Sequence, residues 1–206
     1  MKVSVSILKK YDRLINAVKK VNDSNADFLH IDVMDGKFVN NTKFTKEMVK
    51  DIISISKKKI DLHLMVEDLD LIKEYALLKP DMLTFHVEVI DDFKIIDYVK
   101  SHGIKVGLAI NPETKIDKLA QYVDDIDLVL FMSVTPGAGG QKFKEEVIDK
   151  IINFKKLAPK DLIISIDGGV NNKTVSLCKY AGCDMVVSGS FITNSSNYSD
   201  RINELK

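Results

Sequence analysis

His30, Asp32 and Met34 stand two apart in the run Asp27-Phe-Leu-His-Ile-Asp-Val-Met-Asp-Gly36. His63 and Met65 repeat that spacing, and Asp167 stands directly before Gly168-Gly169. Burying an imidazole and a carboxylate is costly unless they are paired, metal-bound or catalytic. Two histidines and two aspartates could form a divalent-metal site. Imidazole suits zinc, iron and similar ions, and carboxylates add charge and a hard oxygen. Asp32 and Asp167, set on opposite faces of a flat substrate, could take a proton from one face of a carbon and return one to the other. A metal would hold the oxygens of the enediolate formed in between. The plainer alternative is four buried polar residues that satisfy one another.

Glycines form a second group. Six of the ten fall in three late segments: Gly137, Gly139 and Gly140; Gly168 and Gly169; and Gly189 beside Ser190. Such loops let backbone N–H groups approach an anion, and a following helix adds a favourable dipole. The first, Thr135-Pro-Gly-Ala-Gly-Gly-Gln141, is expected to open a helix, and no Gly-Lys-Ser/Thr follows it as in a Walker loop. Met34, Met65 and Met132 would add an apolar, polarizable lid over the reacting carbons. His86 reads as a satisfied interior residue and His102 as a surface one.

These residues need elements to position them. Period-two alternation puts Leu29, Ile31 and Val33 on one strand face and His30, Asp32 and Met34 on the other. Seven further strands are predicted at Val3–Ile7, Lys59–Met65, Met82–His86, Lys105–Ile110, Asp127–Val134, Asp161–Asp167 and Met185–Ser188. Helices are predicted at Asp12–Asn22, Thr45–Ser56, Asp68–Leu78, Asp92–His102, Lys115–Val123, Lys144–Leu157, Asn172–Ala181 and Ser199–Leu205. Strict alternation implies parallel strands with right-handed crossovers. Eight units fit a closed (β/α)₈ barrel of the lean kind, and a doubly wound open sheet is the alternative. In a barrel the site lies at the C-terminal strand ends, where every candidate above falls, with Ser6 closing the first strand. Loops after the seventh and eighth strands are the recurrent barrel phosphate site.

Composition narrows the class. The chain has 206 residues, 45% of them hydrophobic, and no linker or low-complexity tract divides it, so one domain over 1–206 is expected. Thirty basic and thirty acidic residues cancel, which gives no field for nucleic acid or an acidic membrane. Cys178 and Cys183 do not make a disulfide framework or a zinc knuckle, and read as buried thiols in a reducing cytosol. Met-Lys-Val-Ser-Val-Ser-Ile-Leu at the start is strand-like, not leader-like, and no apolar run is long enough to span a membrane.

The chain resembles the ribulose-phosphate 3-epimerase family from end to end. The resemblance is carried by Ser6-Ile-Leu8, His30-Ile-Asp-Val-Met-Asp-Gly36, Phe38-Val39, Asp61-Leu-His-Leu-Met-Val66, Thr84-Phe-His86, Lys105-Val-Gly-Leu-Ala109 and Met132. Pro136-Gly-Ala-Gly-Gly-Gln-Lys-Phe143, Asp167-Gly-Gly169 and Val187-Ser-Gly-Ser190 complete it. It implies a (β/α)₈ barrel that interconverts D-ribulose 5-phosphate and D-xylulose 5-phosphate. His30, Asp32, His63 and Asp167 would ligate one ion of zinc, iron, manganese or cobalt, with Asp32 and Asp167 also the acid/base pair. Ser6 and His63 would contact the sugar. Gly137, Ala138, Gly139, Gly140, Gly168, Gly169, Gly189 and Ser190 would cradle the phosphate, and Met34, Met65 and Met132 would cap the enediolate. A cytoplasmic homo-oligomer is the expectation.

Three departures bear on the substrate. Lys37-Phe-Val-Asn-Asn41 replaces the family's His-Phe-Val-Pro-Asn, Ala138 replaces a Phe, and Ser165 replaces a Glu two before the last aspartate. They keep open a hexulose phosphate such as D-allulose 6-phosphate, and a non-catalytic phosphosugar-binding barrel is the third reading.

Overall fold

A computed structural model describes all residues, 1–206. Eight parallel strands close into a barrel, because the first strand pairs with both the second and the last. In chain order the barrel strands are Lys2–Ser6, Phe28–Asp35, Lys59–Met65, Met82–His86, Lys105–Ile110, Leu128–Met132, Ile163–Asp167 and Met185–Ser188. The open-sheet alternative is thereby excluded. A two-residue strand, Thr42–Lys43, adds an antiparallel pairing to the end of the second barrel strand.

Alternation decides what faces where. Leu29, Ile31 and Val33 join the large apolar layer between strands and helices, with Val18 and Ile52 from the helices. The opposite face points into the barrel. One half of that interior is apolar: Phe28, Met82, Leu128, Leu130 and Met185 pack together there. The other half holds Ser4, His30, Asp32, Asp61, His63, Thr84 and His86, all buried.

Three helices form where periodicity and a side-chain cap agree. Thr45 accepts the Met48 N–H ahead of Lys46–Ile55, Asp68 accepts that of Asp70 ahead of Leu69–Ala76, and Asn197 opens Tyr198–Leu205 in the same way. Gly103, at φ 74, follows Lys94–Ser101 as expected for a chain reversal.

Three helix expectations need correction. The span 8–13 is a 3₁₀ segment that leads into Leu14–Asn22, so the helix starts later than Asp12. The stretch 115–123 holds only a 3₁₀ turn, Ile116–Leu119. Lys115 offers no side-chain acceptor at its start, and Asp124 and Asp125 fall where a helix's negative end would repel them. The glycine loop does not open a helix either: the next one is Glu146–Lys155. Gln141 Nε2 instead ties the loop to itself, donating to Thr135 O at 2.6 Å and Ala138 O at 2.8 Å. A short helix not anticipated, Ser190–Thr193, begins directly after Gly189. No helix is long and apolar enough to cross a membrane.

Candidate active site

Parallel register brings the chemistry together. Asp32 lies level with His63, and His30 with both Ser6 and Asp61, because neighbouring strands pair residue for residue at the barrel's upper end. Asp167 reaches in from the seventh strand, beside Met132 of the sixth. One donor atom from each of His30, Asp32, His63 and Asp167 lies within 4.8 Å of the others.

Hydrogen bonds fix these side chains. Ser6 Oγ donates to Asp32 Oδ2 at 2.8 Å. His30 Nδ1 lies 2.7 Å from Asp61 Oδ2, which also accepts from Ser4 Oγ at 2.8 Å. A carboxylate only accepts, so Nδ1 carries the proton and Nε2 is turned toward Asp32 Oδ1 at 3.1 Å and Asp167 Oδ2 at 4.0 Å. His63 Nδ1 lies 3.3 Å from Asp32 Oδ1, and its Nε2 lies 3.0 Å from His86 Nε2. Ser133 holds the backbone behind Asp167, its Oγ donating to Asp167 O at 2.8 Å and also to Gly168 O.

The two carboxylates are driven apart electrostatically. Burial alone would raise both. The neighbouring histidines, His30 first, nevertheless hold Asp32 well below the usual carboxylate range. Burial and then the charge of Asp32 push Asp167 up to about 6. His30 is raised well above an ordinary histidine, because Asp32 and Asp61 outweigh its burial. Two carboxylates and two imidazole nitrogens thus converge at the cavity floor, where positive charge among them, a proton on His30 or a bound cation, offsets the repulsion between the carboxylates. This donor set fits a divalent ion of the zinc or iron type, and the cluster can hold one.

Above the cluster opens a cavity of about 590 Å³. Ser6, Asp32, Asp167, Met34, Met65 and Met132 line its floor and one wall; Gly137, Ala138, Gly139, Gly140, Gly168, Gly169, Gly189 and Ser190 line the other. His30 and His63 do not line it, being fully buried beneath the floor. His63, expected also to touch substrate, has both ring nitrogens engaged within the protein. His86 is buried as expected, whereas His102 is half-buried, its Nδ1 on Tyr98 O at 2.9 Å. Cys178 and Cys183 are free and buried.

Lys9, Asp35, Asp61 and Glu88 were given no role from the sequence. Lys9 lies over the glycine loop: a Cβ built on Gly140 would collide with its Nζ, and one on Gly139 would meet its Cγ at 3.3 Å. Its signal was present, since it follows Ser6-Ile-Leu8 at a strand end. Asp35 organises the loop beyond the second strand, accepting the N–H groups of Lys37, Phe38 and Glu67 at 2.8–2.9 Å. The divergent segment 37–41 meets the glycine loop, with Asn41 Nδ2 on Gly137 O at 2.8 Å. Ser165 leaves its buried hydroxyl without a partner beneath the cluster. Asp61 and Glu88 complete the buried network, Glu88 through His86 Nδ1 at 3.2 Å.

Comparison with known proteins gives a consistent result. Residues 2–193 match the profile of the Ribulose-phosphate 3 epimerase family. A ribulose-phosphate 3-epimerase of Bacillus subtilis is 38% identical over 213 aligned residues, covering 100% of this chain and 98% of that protein. One of Helicobacter pylori is 37% identical, covering 95% and 92%. Among solved structures, 3-hexulose-6-phosphate synthase from Salmonella typhimurium superposes with a TM-score of 0.73 at 18% identity, covering 100% and 96%. KGPDC from Streptococcus mutans gives 0.74 at 15% identity, covering 99% and 94%. At such identities the last two speak for the barrel fold alone.

Proposed function

The chain belongs to the ribulose-phosphate 3-epimerase family, and we propose on that basis that it inverts C3 of D-ribulose 5-phosphate to give D-xylulose 5-phosphate. The observation that carries this reading is the convergence of two aspartates and two histidines within 4.8 Å at the floor of a cavity whose far wall is glycine-rich.

In this mechanism the ionised Asp32 takes the C3 proton from one face, and Asp167 delivers a proton to the other. Ser6 keeps Asp32 aimed by holding its second oxygen. Met34, Met65 and Met132 exclude water from the reacting carbons. Backbone amides of segments 137–140, 168–169 and 189–190 face the phosphate, with Lys9 above them. His30, Asp32, His63 and Asp167 would hold the divalent ion. When bound, such an ion supplies positive charge that lowers the cost of the anion formed as the proton leaves.

A second substrate reading is favoured by one residue of the cavity. Ala138, which stands where the family has a Phe, lines it among the glycines, so that wall is less bulky than the family's usual one. This keeps a hexulose phosphate such as D-allulose 6-phosphate as the alternative. Assaying C3 inversion of pentulose and hexulose phosphates with the purified protein tests both, and binding without turnover of any would leave a phosphosugar-binding barrel. Metal analysis with chelation and re-addition tests the ion. The family resemblance supports a homo-oligomer, which light scattering measures, and one domain over 1–206.

A further inference from the structure

Below the cavity a row of hydrogen bonds runs away from the four-residue cluster and serves no substrate. It passes from His63 Nε2 to His86 Nε2 at 3.0 Å, from His86 Nδ1 to Glu88 Oε2 at 3.2 Å, and ends where Glu88 Oε1 accepts the Asn111 N–H at 2.9 Å. Both imidazoles are fully buried, and the Phe38 ring covers His86 with centroids 4.4 Å apart. Nothing in the proton-transfer scheme uses His86 or Glu88.

We infer that Glu88, acting through His86, decides which ring nitrogen of His63 is left free to face the cluster, and so is a positioning residue of that site. The inference rests on the metal-dependent reading above. Its logic is the direction of each bond. Glu88 meets donors on both oxygens: the Asn111 amide on one and the His86 ring on the other. His86 must therefore carry its proton on Nδ1, which leaves Nε2 as an acceptor. His63 faces that acceptor with Nε2 and places its proton there. Its Nδ1 then presents a lone pair toward Asp32 Oδ1, 3.3 Å away. Two acceptors so placed call for a cation between them. Reversing the row would put the His63 proton on Nδ1, into the place a ligand bond needs.

The substitution Glu88→Gln separates this role from simple packing. The Asn111 amide must still be accepted, so the glutamine carbonyl turns to it and the NH₂ turns to His86 Nδ1. That reverses the two bonds between residue 88 and His63. Glu88→Ala removes the constraint without reversing it. Affinity for Zn²⁺ alone, read by competition with a chromophoric chelator, is therefore expected to fall about 10–100-fold in Glu88→Gln. A smaller loss is expected in Glu88→Ala, although Ala is the less conservative change. Packing alone predicts the opposite order, and that order, or equal losses, overturns the inference. A second readout needs no variant. NMR of ¹⁵N-histidine-labelled wild-type protein is expected to place the His86 proton on Nδ1; a proton on Nε2 overturns the inference. This decides the matter if Glu88→Gln does not fold. If the wild type takes up no zinc, the metal reading falls, and the His86 proton still decides the direction of the row.

Discussion

At the scale of single residues, Asp32 and Asp167 carry the sharpest expectation. In the proposed two-base scheme each serves one face of the sugar, so Asp32→Asn and Asp167→Asn should each lower turnover by at least about 10²–10⁴, the usual worth of a positioned acid or base. Folding and metal content must be measured beside turnover, because both are also candidate metal ligands. Wild-type turnover in D₂O should place deuterium at C3 of the product; product without it would remove the two-base scheme. Lys9 gives a different signature. It lies over the glycine loop and takes part in no ion pair within the chain, so Lys9→Ala should raise KM for the phosphorylated sugar several-fold. The loss should shrink as salt is added, since screening weakens an exposed cation's pull. An unchanged KM at low salt would leave Lys9 without a part in anion binding.

At the scale of elements, the lower rim of the barrel repeats one device. Asp27, Asp81, Asp127 and Asp184 each stand immediately before an even-numbered barrel strand. Each accepts the N–H of the second residue of the preceding odd-numbered strand: Val3, Ile60, Val106 and Ile164, at 2.8–2.9 Å. The edge amides of four strands are thus satisfied by four aspartates. Asp127→Ala should cost roughly 1–2 kcal/mol, the range for a charge-assisted bond lost at a partly exposed place, read as a lower urea midpoint. No change in midpoint would show the rim amide to be equally well served by water. The helix Val175–Tyr180 and the turn after it bury the two cysteines, and burial pushes both thiols up to about 12. Neither should react with a thiol reagent at neutral pH until urea unfolds the chain. Rapid labelling of the native protein would contradict that packing.

At the scale of the whole molecule, the barrel interior is divided between an apolar half and a polar half that ends at the site. Around the barrel stand carboxyls whose charge depends on the fold. Burial favours raising Asp27, Asp35 and Glu88, yet hydrogen bonds to each prevail and lower all three, Glu88 to about 2. A carboxyl lowered by folding binds fewer protons in the native state than in the unfolded one. Its contribution is present above the unfolded value near 4–4.5 and is lost as pH falls below it. Urea midpoints should therefore decline steadily from about pH 5 to pH 3. A flat profile there would mean these bonds do not favour the folded chain.

The barrel and most residues of the candidate site can be read from local sequence. Strict strand–helix alternation, period two on the second strand and the shared spacing of His30, Asp32, His63 and Met65 are local facts, legible without coordinates. Four of the eight barrel strands, at Lys59, Met82, Lys105 and Met185, have the bounds their apolar runs indicate. What those residues meet depends on how the strands align with one another. Register between neighbouring strands sets Asp61 under His30 and His86 against His63, and no spacing along one strand specifies its alignment with the next. The helix expected over 115–123 failed for a related reason: its apolar residues find their burial in a turn. Lys9 and Glu88 were passed over because each, read alone, is an ordinary surface charge. Their meaning comes from the tertiary structure: the barrel brings the end of the first strand to the glycine loop, and pairing of the fourth and fifth strands brings Glu88 to Asn111.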